Sequence, residues 1–302
     1  MYLESFTLPS LEEEEALLTK KAIQNEGHWL GHVDVTYPCR LFSYKSLSHI
    51  SFKKITVFYG GNGSGKSTLL NIIAEKLRLK RIAPFNTSEM FDLFVDSCSY
   101  VLGYDDEGDP LRIPNGSRII TSDDIFDYML RARDMNSEIE ENKEEAKNDY
   151  TAIKFGKTVK FRGFEDHEAL KEQNAVRRRS VTRRKYIKNT AGEEIRLQSN
   201  GETALNYFET KLKSDTLYLL DEPENSMSPR LQLVLLDTLS EMARFCGCQF
   251  IIATHSPFLL SLEGAHIYNL DADPVKVQNW WELENTKTYF DFFKKHEYLF
   301  LQ

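Results

Sequence analysis

A chain of 302 residues with 41% hydrophobic, 12% aromatic and 28% charged residues has the make-up of an ordinary globular protein with apolar material for a sizeable core. Its formal charge of −8 means that the average surface repels nucleic acid and anionic membrane, so any such contact needs a local basic patch. The opening Met1 to Ser5 lacks the basic-then-apolar layout of a signal peptide, and no apolar run approaches the roughly 20 residues that span a bilayer, so a cytoplasmic location without membrane contact is expected.

Leu3, Phe6 and Leu8 predict a short strand ending at Pro9-Ser10. Ser10 then caps a helix to about residue 25, with Glu12 to Glu15 in the turn where the helix dipole favours negative charge. Residues 28 to 53 are expected to form strands, because Val33 and Val35, then Ile50 and Phe52, alternate. Lys54 to Tyr59 follows as a buried strand rich in β-branched and aromatic residues.

Behind that strand comes Gly60-Gly61-Asn62-Gly63-Ser64-Gly65-Lys66-Ser67-Thr68, which satisfies G-x-x-x-x-G-K-[ST]. Leu69, Leu70, Ile72, Ile73 and Leu77 then recur at helical spacing. Strand, glycine loop and helix in that order form a phosphate cradle. A loop that wraps a polyphosphate must turn its backbone N–H groups inward, and side chains at the glycines would block the approach. The helix opening near Gly65 aims its dipole and unpaired N–H groups at the same anion. Lys66 would reach the β- and γ-phosphates, and the Ser67 hydroxyl would take a position on Mg²⁺.

Between 80 and 130, Asp105 to Pro110 and Ile113 to Gly116 are turn clusters, and Arg118-Ile119-Ile120 reads as a strand. Residues 131–190 differ in composition, with a Glu- and Lys-rich run from Asp134 to Asp149 and no clear apolar stripe. They are expected to be a charged, largely helical or mobile insertion within one domain of residues 1–302. Arg177, Arg178, Arg179, Arg183, Arg184 and Lys185 form a basic cluster there, read equally as a nucleic-acid contact or as a solvated face paired with the preceding acids. Cys39, Cys98, Cys246 and Cys248 do not fall at zinc spacings, and free thiols fit a reducing compartment.

Ser199-Asn200-Gly201-Glu202 reads as a loop that opens a helix to about Leu212. Thr216 to Leu220 is a short uninterrupted apolar run ending in Asp221-Glu222-Pro223, as a central parallel strand would be. Pro229 starts a helix with Leu231, Val234, Leu235 and Leu239 on one face. Gln249 to Thr254 is another buried strand, with His255-Ser256-Pro257 at its C-terminal end, the edge where open α/β sheets bind ligands. The tail adds a strand at Ala265 to Leu270, the Trp280-Trp281 stretch and an aromatic helix. Asp221, at a strand end, is the expected Mg²⁺ partner of Ser67, and the adjacent Glu222 is suited to polarising an attacking water.

Together these motifs resemble ABC-type ATPases, specifically the soluble heads related to SMC and DNA-repair proteins and the small bacterial AAA-type ATPases found in anti-phage defence systems. The resemblance is carried by the glycine loop, Gln198 to Glu202, Leu220 to Glu224 and Ile251 to Pro257. It implies an α/β P-loop NTPase fold with a mostly parallel central sheet, an antiparallel β portion and a helical insertion. It further implies ATP and Mg²⁺ as cofactors and a homodimer that sandwiches two ATP molecules.

In that picture Gly60 to Thr68, Asp221, Glu222 and His255 of one chain meet Ser199, Asn200, Gly201 and Glu202 of the other. Glu222, His255 and Lys66 are the catalytic set, and Glu224-Asn225-Ser226 is the D-loop. An aromatic among Tyr37, Phe42 and Tyr44 would stack on adenine or serve the core, and Thr121-Ser122-Asp123-Asp124 would be the Q-loop. The resemblance implies a nucleotide-controlled switch for an effector protein such as a nuclease or toxin. A DNA-handling head using the basic cluster is the alternative, and a transporter subunit is disfavoured by the D-E-P-E and T-H-S-P forms.

Overall fold

The computed structural model describes residues 1–24, 36–85, 87–155, 171, 175–176, 178, 182–191 and 199–301. They form two compact units: residues 1–125 with 204–302, and residues 126–203.

In the first unit, strand β1 (Leu3–Thr7) buries Leu3 and Phe6 completely. Helix α1 (Leu11–Gln24) starts at a reciprocal cap, in which the Ser10 N–H donates to Glu13 Oε2 at 2.7 Å and the Glu13 N–H to Ser10 Oγ at 3.3 Å. Strand β2 (His49–Ser51) buries Ile50, and Phe52 follows it into the core. The expected alternation at Val33 and Val35 lies outside the described residues.

All five residues of β3 (Ile55–Tyr59) are buried, and helix α2 (Lys66–Lys76) packs Leu69, Leu70, Ile72 and Ile73 into the core behind it. The region that reads poorly in sequence supplies helix α3 (Glu89–Ser97), strand β4 (Ser99–Leu102) and strand β5 (Arg118–Thr121). Helix α4 runs from Ser122 to Phe155, and α5 from Arg183 to Ala191. Then come α6 (Asn200–Lys211), β6 (Leu217–Asp221), α7 (Pro229–Phe245), β7 (Gln249–Ala253), α8 (Pro257–Leu260), β8 (His266–Asn269), β9 (Lys276–Val277) and α9 (Glu284–Lys295).

The larger sheet has the order β5-β6-β7-β3-β8-β9, parallel throughout except for the final antiparallel pair. A smaller antiparallel sheet has the order β2-β1-β4. Gln249 ties the two together. Its buried amide accepts from the N–H groups of Tyr2 and Leu3 at 2.8 and 2.9 Å and donates to Leu3 O at 2.7 Å. This is a mixed α/β fold with a mostly parallel central sheet, in which one strand, β7, separates the glycine-loop strand β3 from β6, the strand that ends in Asp221. Among the described residues no helix is long and apolar enough to cross a membrane.

The second unit holds most of α4 and all of α5. Ala146, Tyr150, Val176 and Ala191 are buried, and the Tyr150 and Tyr186 rings meet at 5.6 Å between centroids. Much of the Asp134 to Asp149 stretch is exposed helix.

Candidate functional site

Strands β6, β7 and β3 are neighbours and parallel, so their C-terminal ends emerge on one edge of the sheet. The glycine loop follows β3, Glu222 follows β6 and His255 follows β7 closely in the chain, which brings all three to that edge. Ligands of open α/β sheets bind there.

The loop has the backbone its glycines permit. Gly63 and Gly65 adopt φ of +79° and +101°, which side-chain-bearing residues rarely take. A Cβ on Gly60 would lie 2.4 Å from Ser64 Oγ. Gly65 caps α2 without a side chain, which leaves the helix N–H groups facing the loop. Lys66 is buried and its ammonium donates to Gly60 O at 2.7 Å and Gly61 O at 3.1 Å. Ser64 Oγ is buried and has no hydrogen-bond partner among the described residues. Thr68 Oγ1 accepts from the Tyr37 hydroxyl at 2.7 Å.

The carboxylates converge on this loop. The Ser67 hydroxyl donates to Asp221 Oδ1 at 3.1 Å across 154 residues of chain. Burial pushes the Asp221 carboxyl up to about 6, against the Ser67 hydrogen bond and with the Glu222 charge adding to the rise. The Lys66 charge offsets part of that rise. Glu222 Oε1 lies 3.7 Å from Lys66 Nζ and 3.6 Å from His255 Nδ1, and Oε2 accepts from Asn225 Nδ2 at 3.2 Å. Its φ of +47° is a strained conformation for a residue with a side chain, of the kind that clusters at functional sites. The Glu222 N–H donates to Ala253 O at 2.9 Å, which pins that turn to β7.

Glu224, read in sequence only as part of the D-loop, organises the histidine loop. It is buried, and Oε1 accepts from the Thr254 hydroxyl and from the N–H groups of His255 and Ser256 at 3.3 and 3.2 Å. Burial raises its carboxyl above the ordinary range.

Sequence reasoning missed two further contributors. Asp271 accepts from the Gly61 N–H at 2.8 Å, from 210 residues away. Asn285, at the start of α9, donates to His255 O at 3.1 Å and brings the tail to the same edge. No local signal marks Asp271 or Asn285, because each acts through a contact made only on folding.

Other candidates have definite places. Phe42 is buried in the core, Tyr37 stacks near Phe91 at 6.3 Å between centroids, and Tyr44 is exposed. Asp124, in the expected Q-loop, is buried with both oxygens in use, accepting from Ala83 N at 2.7 Å and Thr121 N at 2.8 Å. It therefore caps α4, as an acid at the third helical position does.

Ser199 to Glu202 belong to the second unit. There Glu202 Oε2 accepts from the Ser199 N–H at 2.9 Å and the Ser199 hydroxyl at 3.0 Å, a reciprocal cap on α6. Asn200 Oδ1 accepts from Arg133 at 2.5 Å. Arg178, Arg183, Arg184 and Lys185 are exposed, and Arg177 and Arg179 lie outside the described residues.

Residues 114–261, which include Ser199 to Glu202, Asp221, Glu222 and His255, match the family described as "AAA domain, putative AbiEii toxin, Type IV TA system". Just under half of the chain is thus similar to the model of that family. The chain is also 23% identical over 211 residues to an uncharacterized ABC transporter ATP-binding protein/permease of Saccharomyces cerevisiae, covering 67% of its own length and 14% of that relative's. Among solved structures it resembles the SMC head domain from Thermotoga maritima, with a TM-score of 0.40 and 15% identity over 92% of this chain and 99% of that one. It also resembles a dimeric post-hydrolysis ATP-binding cassette bound to ADP and Pi, with a TM-score of 0.36 and 13% identity over 77% of this chain and 88% of that one.

Proposed function

We propose that this chain binds ATP with Mg²⁺ and hydrolyses it. The observation that carries the reading is the meeting of Ser67, Asp221, Lys66, Glu222 and His255 at one edge of the parallel sheet. The residues fit the cofactor: the left-handed glycines open the cradle, and the Ser67 hydroxyl and the Asp221 carboxylate, two oxygen ligands of the kind Mg²⁺ takes, meet at 3.1 Å. Among the described residues no group of three or more His, Cys, Asp or Glu is placed to hold a metal ion. Ser67 and Asp221 would therefore share Mg²⁺ with nucleotide oxygens and water. When bound, that ion neutralises charge on the phosphate oxygens.

The protein's own groups then have separate tasks. Lys66 leaves the carbonyls of Gly60 and Gly61 for the phosphates. Glu222 orients the attacking water and accepts its proton, steadied by Asn225. His255, held through Glu224, donates to the γ-phosphate. Positioning and charge stabilisation are the catalytic effects.

We further infer that two copies close around two nucleotides, with Ser199 to Glu202 of each completing the other's site. An anion there replaces the Glu202 carboxylate on the Ser199 N–H and hydroxyl. The nucleotide state would switch an effector protein in the cytoplasm, a reading supported by the family description, which names a toxin of a toxin–antitoxin system. The exposure of Arg178, Arg183, Arg184 and Lys185 favours a second reading, a DNA-handling head. Steeply salt-dependent duplex binding, lost when Arg183, Arg184 and Lys185 become alanine, supports that alternative.

The test is Glu222→Gln. Turnover should fall by about a hundredfold or more, within the range for loss of a general base, while ATP binding persists and sedimentation in Mg·ATP shows a dimer. Normal hydrolysis by this variant removes Glu222 from its role.

A further inference from the structure

Strand β8 runs parallel to β3 with Asn269 opposite Tyr59, so the residues that follow the two strands leave the sheet side by side. Leu270 is completely buried and donates its N–H to Tyr59 O at 2.8 Å, and the Asp271 N–H donates to Asn269 Oδ1 at 3.0 Å. Lys45 adds a second tie. Its ammonium donates to Leu270 O at 2.6 Å and to Ser64 O of the glycine loop at 3.5 Å, while its carbonyl accepts from the Val275 N–H at 2.9 Å. The turn after β8 is thus fixed beside the glycine loop independently of Asp271's own contact with it.

Asp271 grips one peptide unit of that loop. The Gly60 carbonyl accepts from the Lys66 ammonium at 2.7 Å, and the Gly61 N–H of the same trans peptide donates to Asp271 Oδ2 at 2.8 Å. The carbonyl and N–H of a trans peptide point in opposite directions, so the two bonds set the plane, with its carbonyl toward Lys66 and its N–H toward Asp271. Hydrogen bonds in such a chain polarise one another, and a carboxylate on the N–H makes the carbonyl a better acceptor for the ammonium. Glycine on both sides removes the Cβ groups that would restrain this peptide from turning over.

We propose that Asp271 is a positioning residue for the nucleotide, holding the Gly60–Gly61 peptide so that the loop keeps its phosphate-binding shape when Lys66 moves to the phosphates. It approaches from β8, on the opposite side of β3 from β6 and Asp221. The role rests on the ATP-binding reading above. A carboxylate beside an anion site also repels phosphate, which works against the hold. Asparagine separates the two effects, because it keeps an acceptor oxygen and drops the charge.

The test measures affinity for the β,γ-imido analogue of ATP with Mg²⁺ by calorimetry on the full chain, together with steady-state ATP hydrolysis. Asp271→Ala should weaken binding by about threefold or more, as loss of one hydrogen bond implies. It should raise KM with kcat unchanged, the signature of lost ground-state binding. Asp271→Asn should bind as tightly as the wild type or more tightly. Unchanged or tighter binding in Asp271→Ala overturns the proposal, as does Asp271→Asn binding as weakly as Asp271→Ala, or a fall in kcat at unchanged KM. Each of these leaves the ATPase reading standing. Wild-type protein that binds no Mg-nucleotide overturns that reading and the role of Asp271 with it.

Discussion

Strand β7 and the charged middle of α4 show two different relations between sequence and structure. All five residues of β7 are buried, and its neighbours on both sides are parallel strands. Its position is therefore over-determined by packing, and so is that of the histidine loop at its end. The Asp134 to Asp149 part of α4 is mostly exposed, with Ala146 among the few residues turned inward. There the helix is written in good helix formers, and little packing constrains it. Chemistry that needs fixed geometry is thus found at the ends of buried strands, whereas the charged helix can exchange many of its residues.

Substitutions can break or sharpen this contrast. The largest stability effect is expected for Leu219→Ala, since Leu219 is completely buried in β6. Chemical denaturation should show a loss of about 2–5 kcal/mol, and a loss below about 1 kcal/mol would mean that the sheet is not the rigid element described.

A smaller, pH-dependent effect belongs to Glu14. Its Oε2 accepts from Arg40 N at 2.6 Å and Ser43 Oγ at 2.7 Å, but burial raises its carboxyl above the reference value of 4.5. A raised folded pKa means that the folded state holds the proton more tightly. The stabilisation is complete below 4.5 and is lost as pH rises through the folded value. Measured against Glu14→Gln, the wild type should lose stability across that window and then level off. A difference that stays flat with pH would contradict the burial of this carboxyl.

The smallest effect is expected in the second unit. Glu144 pairs with Lys147 one turn on, both with much of the side chain exposed. Glu144→Ala should change stability by no more than about 0.5 kcal/mol, because solvent screens such a pair. A loss above about 1 kcal/mol would show that the charged helix is as constrained as the sheet.

Much of the site was legible in advance for local reasons. Tight turns, left-handed glycines and helix starts are encoded within a few residues, so the cradle at Gly60 to Thr68, the strand ending at Asp221 and the loop at His255 could all be read directly. Reciprocal caps are local too, and Ser10 with Glu13 forms one where Ser10 was expected to cap α1. Asp124, in the stretch that the resemblance implies as the Q-loop, spends both oxygens on backbone donors.

What only the tertiary structure decided is who meets whom. The strand order β6-β7-β3 sets Asp221 against Ser67, and no feature of either segment alone specifies that contact. Glu224 became the anchor of the histidine loop, and Asp271 and Asn285 arrived at the glycine loop and His255, through distant closures of the chain. A motif records the backbone conformation its residues prefer, which is a short-range property. The pairing of distant side chains depends on how buried strands share one core, and it is set only when the whole sheet assembles.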